Sequence, residues 1–210
     1  MTAIAVIAKA PVAGRSKTRL TPPCTPRQAA ALASAALADT LAAVAASAAG
    51  RRILVLDGDP GRWRGRGLEI LPQRGGGLAE RLAAAFADIG EPALVVGMDT
   101  PQLTPALLEH ALCRLEHADA VLGAAPDGGY WAIGLRAADA AVFAGVPMSE
   151  PQTCAVQRER LRALALRTHE LAQLRDVDDI GDARAVAAQA PRTRFARALA
   201  GMRLTEPLAA

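Results

Sequence analysis

Short apolar runs alternate with longer stretches of helical periodicity along the whole chain. Ile4 to Ala8 is continuous, apolar and β-branched, and Pro11 and Gly14 follow it, so it reads as a buried strand ending in a loop. The next stretch predicts a helix. Thr25 is placed as N-cap, Pro26 at the first helical position and Gln28 as the partner in a capping box, with Leu37, Leu41, Val44 and Ala48 on one face and Gly50 as the stop. Arg52 to Asp57 reads as a second strand, residues 61–67 as an irregular basic loop around Trp63, and Leu68 to Leu71 as a third, short strand. After a flexible crossover at 72–77, Leu78, Leu82, Phe86 and Ile89 mark a helix. Ala93 to Gly97, nearly all apolar, then reads as a strand central to a sheet. Thr104-Pro105 opens another helix, with Leu107, Leu108, Ala111, Leu112 and Leu115 as its buried face. Strands at Ala118 to Ala124 and Tyr130 to Leu135 follow, then helical segments near 137–143 and 152–165. A strand-like Leu166 to Glu170, an Ala-rich helix from about 181 and a basic tail from Pro191 (amphipathic helix or frayed end) complete the chain.

Alternating strands and helices with short connections argue an α/β domain with a parallel-rich sheet covered on both faces. With 210 residues, no internal repeat and no linker, one domain over 1–210 is the expectation. Aromatic residues make up only 3% of the chain, so Ala, Leu and Val must do the packing. The same shortage leaves too few stacking positions for a nucleic-acid binder, and a net charge of +3 permits anionic small ligands without calling for nucleic acid. Cys24, Cys113 and Cys154 are odd in number and widely spaced, which excludes a zinc site or a disulfide framework and suits reduced thiols. Residues 29–49 are interrupted by Ser34, Asp39, Thr40 and Ser47, and the first apolar run is too short for a signal segment. No membrane span and a cytoplasmic location are therefore expected. Nothing in the sequence sets an oligomeric state.

Four stretches carry candidate chemistry. Lys9, Arg15, Lys17 and Arg19 fall within eleven residues, and the first carboxylate in the chain is Asp39. A loop after the first parallel strand lies where open α/β sheets bind ligands, and clustered cations beside a glycine suit phosphate oxygens. A solvated basic loop is the plain alternative. The string is neither a Walker A loop nor a Gly-x-Gly-x-x-Gly fingerprint. Asp99, in Met98-Asp99-Thr100-Pro101, follows the fourth strand and suits either a divalent metal or an Asx-type turn. Asp127-Gly128-Gly129-Tyr130 suits a ligand loop or a simple turn into a strand. Asp176 and Asp178 share one face of an extended segment, as metal ligands or as acids before a helix. His110, His117 and His169 are isolated and read as surface or packing residues.

The basic loop, Met98 to Leu103 and Pro126 to Leu135 together resemble GT-A-like transferases. More narrowly they resemble the bacterial radical-SAM/selenodomain-associated transferases, relatives of 2-phospho-lactate guanylyltransferase and other nucleotidyltransferases. That resemblance implies a single GT-A-like (nucleotide-diphospho-sugar transferase) domain with a mostly parallel twisted sheet, helices on both faces and an antiparallel strand at Tyr130 to Leu135. It implies nucleotide binding by Ala8, Lys9, Pro11, Gly14, Arg15, Lys17, Arg19, Gln73 and Arg81. Mg²⁺ or Mn²⁺ would be held by Asp99 and Asp178. The acceptor would be bound by Asp127, Gly128, Gly129 and Tyr130, and Lys17, Asp99 and Asp127 would serve catalysis. Gly77 stands where the family has Asp, Ala79 where it has Gly, and Asp179-Ile180 replace its Thr-Pro. The activity implied is transfer of a sugar from a nucleotide-diphospho-sugar to a small-molecule acceptor. Its rival is nucleotidyl transfer from an NTP with release of pyrophosphate. An inactive nucleotide-binding module is the reading from another class.

Overall fold

Strand β1 (Ala3–Lys9) is buried on both faces, which is why its sequence is a continuous apolar run rather than an alternating one. In the computed structural model, which describes residues 2–65 and 67–204, it is joined by β2 (Arg51–Asp57), β3 (Glu69–Pro72), β4 (Ala93–Gly97), β5 (Ala120–Ala124), β6 (Tyr130–Leu135) and β7 (Thr168–Glu170). Position 66 of the expected irregular loop and 205–210 of the expected domain lie outside the described residues. The strand order is β3-β2-β1-β4-β6-β5-β7. Val6 stands opposite Leu54 of β2 and Val96 of β4, and β4 occupies the centre. Among the described strands only β6 runs antiparallel to its neighbours, β4 and β5, as the resemblance implies for Tyr130 to Leu135.

Period-two alternation sorts the strand residues between two layers of helix. Ile4, Val6, Leu54, Leu94 and Val96 face α1 (Pro26–Ala45) and α3 (Pro105–His117). Ala5, Ile53, Val55, Val95 and Ile133 face α2 (Leu78–Ile89) and α4 (Thr153–Ala163). A third cluster covers the outer side of α1, where Leu20, Leu32 and Ala36 meet Val177, Val186 of α5 (Ile180–Gln189) and Phe195 of α6 (Arg194–Ala200). By length and hydropathy α1 could cross a membrane, but the sheet covers one side of it and α5 and α6 the other. Its Asp39 is buried, and the carboxylate accepts from the backbone N–H groups of Arg194 and Phe195 and from the Arg194 guanidinium. The basic tail is therefore a short helix latched to α1 rather than a frayed end.

The helix-start signals hold in detail. Thr25 and Gln28 form the capping box of α1, and Thr104 caps α3 with Pro105 behind it. The expected stop at Gly50 does not hold. Helix α1 ends at Ala45 and Ala48 is exposed, because Ser47 and Arg52 take the carbonyl of Val44 and so satisfy the last turn early. Leu78, expected on the buried face of α2, is 40% exposed at its first position. The third strand starts one residue later than expected. The segment near 137–143 is only a 3₁₀ turn at Ala140–Val142, capped by Asp139, and the last strand shortens to Thr168–Glu170.

Candidate functional site

The loops after β1, β4 and β5 leave the same edge of the sheet, and the chain returns there after β7. In the first loop, Arg15 and Ser16 donate backbone N–H groups to Val12, the Ser16 hydroxyl accepts from Val12, and Gly14 turns the chain at φ +78°. Lys17 follows in the left-handed region at φ 49° and ψ 47°, uncommon for a long side chain. A 3₁₀ turn, Thr18–Leu20, comes next, and its fully buried Leu20 anchors the loop. The Lys17 side chain is only 14% exposed, and its ammonium lies 2.8 Å from Asp99 Oδ2 and 3.1 Å from Asp178 Oδ1. Burial pushes its pKa down, but the charges of Asp99 and Asp178 and the hydrogen bonds to them more than offset this and leave it raised. Arg19, largely exposed, reaches the other oxygen of Asp178 at 3.1 Å. Lys9, at the end of β1, and Arg15, on the loop, are both exposed.

Asp178 stands beside Asp99 because the chain after β7 is stitched to the strand ends. Leu171 and Leu174 donate to Leu122 and Ala124, the Trp131 indole N–H donates to Ala172 at 3.0 Å, and the Gln102 amide donates to the Arg175 carbonyl. Val177 then donates to the Asp99 carbonyl at 3.0 Å, so Asp176 and Asp178 both turn toward the ends of β4 and β5. Asp179 caps α5 and Asp182 completes the capping box, so the replacement of Thr-Pro by Asp179-Ile180 still starts the helix.

Asp127, Asp176 and Asp178 each place a carboxylate oxygen within 4.8 Å of the others. Desolvation, with the charges of Asp127 and Asp178 added, raises the pKa of Asp176 to about 6, and Lys17 opposes the shift. Asp127, Asp176, Arg175, Asp182 and Pro126 line a cavity of about 240 Å³. Within it Arg175 pairs with Asp182 at 2.8 Å. On the other side of the group, Asp99 Oδ1 is buried with no hydrogen-bond partner among the described residues. Three clustered hard carboxylates, with the orphaned oxygen of Asp99 on the far side of Asp178, fit Mg²⁺ or Mn²⁺, and bonds of about 2.0–2.1 Å would draw the clustered oxygens closer.

The remaining expected site residues are placed elsewhere. Gln73 donates to the carbonyls of Ala8 and Val55, and Arg81 donates to Gln73 and to Asp57. Both therefore brace the ends of β1 and β2, and among the described residues no contact joins them to the carboxylates. Gly77, at the start of α2, provides no side-chain cap where an Asp could. Asp127 accepts from the N–H of Gly129 and so closes its own turn as well. Gly128 has φ +91°, and a Cβ there would lie 1.8 Å from the Pro151 carbonyl oxygen. Its smallness lets this loop pack against the entry to α4. The Tyr130 hydroxyl is turned under α4 toward Gln157 and Met148, and burial raises its pKa. Arg175 and Asp182 join the site without having been singled out in the sequence. Asp176, marked by its two-residue spacing to Asp178, joins it too, although the resemblance gives a metal role to Asp178 alone of the two.

The family described as "Uncharacterized protein conserved in bacteria (DUF2064)" matches residues 30–150. The chain belongs to the DUF2064 family. Among curated proteins none matches it. This DUF2064 protein superposes with a TM-score of 0.86 on the crystal structure of a candidate nucleotide-diphospho-sugar transferase from Desulfovibrio desulfuricans G20. The two share 28% identity over 95% of this chain and 94% of that one. It shares its fold with a nucleotidyl transferase from Methanothermobacter thermautotroptrophicus, at a TM-score of 0.60 and 16% identity over 94% and 98% of the two chains. It also shares it with Rv0371c from Mycobacterium tuberculosis H37Rv, solved in complex with manganese. There the TM-score is 0.53 and the identity 22%, over 88% and 96% of the chains. The sheet order, the lone antiparallel strand and the helices on both faces are those of the nucleotide-diphospho-sugar transferase fold.

Proposed function

We propose that this DUF2064 protein is a divalent-metal-dependent transferase that uses an activated nucleotide, moving a sugar from a nucleotide-diphospho-sugar to a small-molecule acceptor. The observation that carries the reading is the meeting of Lys17, Asp99 and Asp178, from three separate loops, at one edge of the sheet. Asp99 and Asp178 would hold Mg²⁺ or Mn²⁺, with Asp127 and Asp176 close enough to complete or orient its shell. The ion would supply the positive charge that lets a diphosphate approach carboxylates that otherwise repel it. Lys9, Arg15, Lys17 and Arg19 would take the phosphates, and Lys17, the most enclosed of them, would stabilise charge developing on the leaving group. The cavity beside Asp127 and Asp176 would receive the acceptor, with Asp127 in its lining and Gly128, Gly129 and Tyr130 continuing the turn that carries it. Manganese in the Rv0371c structure and the similarity to the Desulfovibrio protein support this version. The likeness to radical-SAM/selenodomain-associated transferases stands on the motifs, and a cytoplasmic site of action goes with it.

Four cations between the end of β1 and Arg19 favour a second reading, nucleotidyl transfer, because they suit a triphosphate. Incubation with Mg²⁺ or Mn²⁺, candidate acceptors and either nucleotide-sugars or NTPs separates the two. Release of nucleoside diphosphate supports glycosyl transfer and release of pyrophosphate supports nucleotidyl transfer. No release of either, across all nucleotides, would overturn both.

A further inference from the structure

The chain has 22 arginines and two lysines, Lys9 at the end of β1 and Lys17 on the loop that follows it. Wherever else it needs a cation it uses a guanidinium, including the neighbouring Arg15 and Arg19. At position 17 it uses a compact ammonium, a point charge with three donors that can stand where a small hydrated ion stands. The ammonium does stand there, bridging Asp99 Oδ2 at 2.8 Å and Asp178 Oδ1 at 3.1 Å, the two carboxylates to which the proposed function gives the metal. The backbone of Lys17 is held left-handed to bring it in, a conformation that side-chain-bearing residues adopt only under constraint from their surroundings. Leu20, fully buried three residues later, supplies that constraint.

We infer that Lys17 is a resident counter-ion which occupies the metal's place between Asp99 and Asp178 and must leave before a divalent cation can bind. The inference rests on the metal-dependent reading above and adds to it a competition between two cations for one pair of carboxylates. Once displaced, the ammonium faces a like charge and needs a new anionic partner, which nucleotide phosphates provide. Metal and nucleotide then help each other bind through one side chain, and by linkage the help is equal in both directions. In this scheme the metal alone binds weakly, because part of its binding energy goes into ejecting Lys17.

The two lysines make this measurable without turnover. Wild-type protein is treated with an amine-acylating reagent with and without Mn²⁺, and labelling of Lys17 is read against exposed Lys9 by mass spectrometry. Without metal Lys17 should be protected. Mn²⁺ should raise its labelling relative to Lys9 by about fivefold or more. In parallel, Mn²⁺ affinity without nucleotide is measured by calorimetry for wild type, Lys17→Met and Lys17→Gln. Both variants should bind Mn²⁺ about tenfold more tightly, or better, because the competitor is gone. Wild type that binds Mn²⁺ while Lys17 stays protected overturns the inference but leaves the functional reading standing. So do folded variants that bind Mn²⁺ no more tightly than wild type. Failure of all three proteins to bind Mn²⁺ overturns the functional reading and the inference with it. Should neither variant fold, the wild-type labelling decides alone.

Discussion

On the β1 side of the cleft the chain presents Lys9 from the end of the strand and Arg15, Lys17 and Arg19 from the loop after it, a stretch that contains no carboxylate. On the β5 side it presents Asp127, Asp176, Asp178 and Asp182, with Arg175 as the cation among them. The two sides also differ in build. The first belongs to the run of parallel strands β3-β2-β1-β4, and the second to the β6-β5-β7 edge where one strand is reversed. Separated charge of this kind suits a reaction between two unlike partners. The cationic side matches a phosphate-bearing donor, and the anionic side matches a metal and an acceptor that is not itself strongly acidic. Asp178 touches both, through Lys17 and Arg19 on one hand and the acid cluster on the other.

Substitution at that shared residue should have the largest effect. Asp178→Asn removes a partner from Lys17 and Arg19 together with a ligand for the ion. Nucleotide affinity in the presence of Mn²⁺ should fall about 100-fold, or about 2.7 kcal/mol. Calorimetry that finds it close to wild type would break the assignment of Asp178 to both sides. A change confined to the acidic side comes next. Gly128→Ala forces a Cβ into the Pro151 carbonyl at a left-handed backbone, so it should cost about 2–4 kcal/mol of stability. Turnover should drop about 30-fold or more while the folded protein keeps its nucleotide affinity, since ~2 kcal/mol of acceptor positioning is worth that factor. Urea unfolding read beside nucleotide binding checks both halves of that expectation, and a parallel loss of nucleotide affinity would dissolve the distinction between the sides.

Smaller effects sharpen the same contrast. Arg15→Ala on the exposed cationic loop should weaken nucleotide binding by about five- to tenfold at low salt and by less at high salt, because exposed charges are screened. A salt-independent loss would mean that Arg15 acts by shape rather than charge. The smallest effect is one of stability. Asp176 titrates near 6 in the fold against an ordinary 3.8, so between those values the native state holds the extra proton. Stability therefore falls as pH rises through that window, and the full penalty applies above it. Asp176→Asn should raise the melting temperature of the metal-free protein near neutral pH by about 2–4 °C, about 1 kcal/mol after allowance for solvent screening. It should change little near pH ~4, where the ordinary carboxyl is already half protonated. Melting curves at the two pH values that move together would show that the carboxylate repulsion is not felt.

Much of the frame was legible because its signals are local. Thr25-Pro26 with Gln28 and Thr104-Pro105 define helix starts within four residues, and the apolar purity of Ala93 to Gly97 reports burial on both faces. The end of α1 was not, because its last carbonyls are taken by Arg52, a residue of the next strand. The candidate site divides the same way. Lys17, Asp99 and Asp178 stand out from their strings, and the structure brings them together. That Asp176 and Asp127 share the cluster depends on how the chain after β7 is sewn to β4 and β5, through Trp131, Gln102 and Val177, and such long-range bonds leave no local trace. Gln73 and Arg81 illustrate the converse. Their motif invites a ligand role, and the structure adds bonds from them to Ala8, Val55 and Asp57 that the motif does not announce.

The two borders of the sheet carry a consequence for how copies of the protein meet. Strand β3 has four residues and ends in Pro72, which has no N–H to offer. Strand β7 has three, and its Glu170 is engaged by Arg158. Neither border presents a row of free amides and carbonyls long enough to template an incoming strand, the route by which exposed sheets stick to one another. A crowded solution of this protein is thus guarded against fibril-like growth at both flanks.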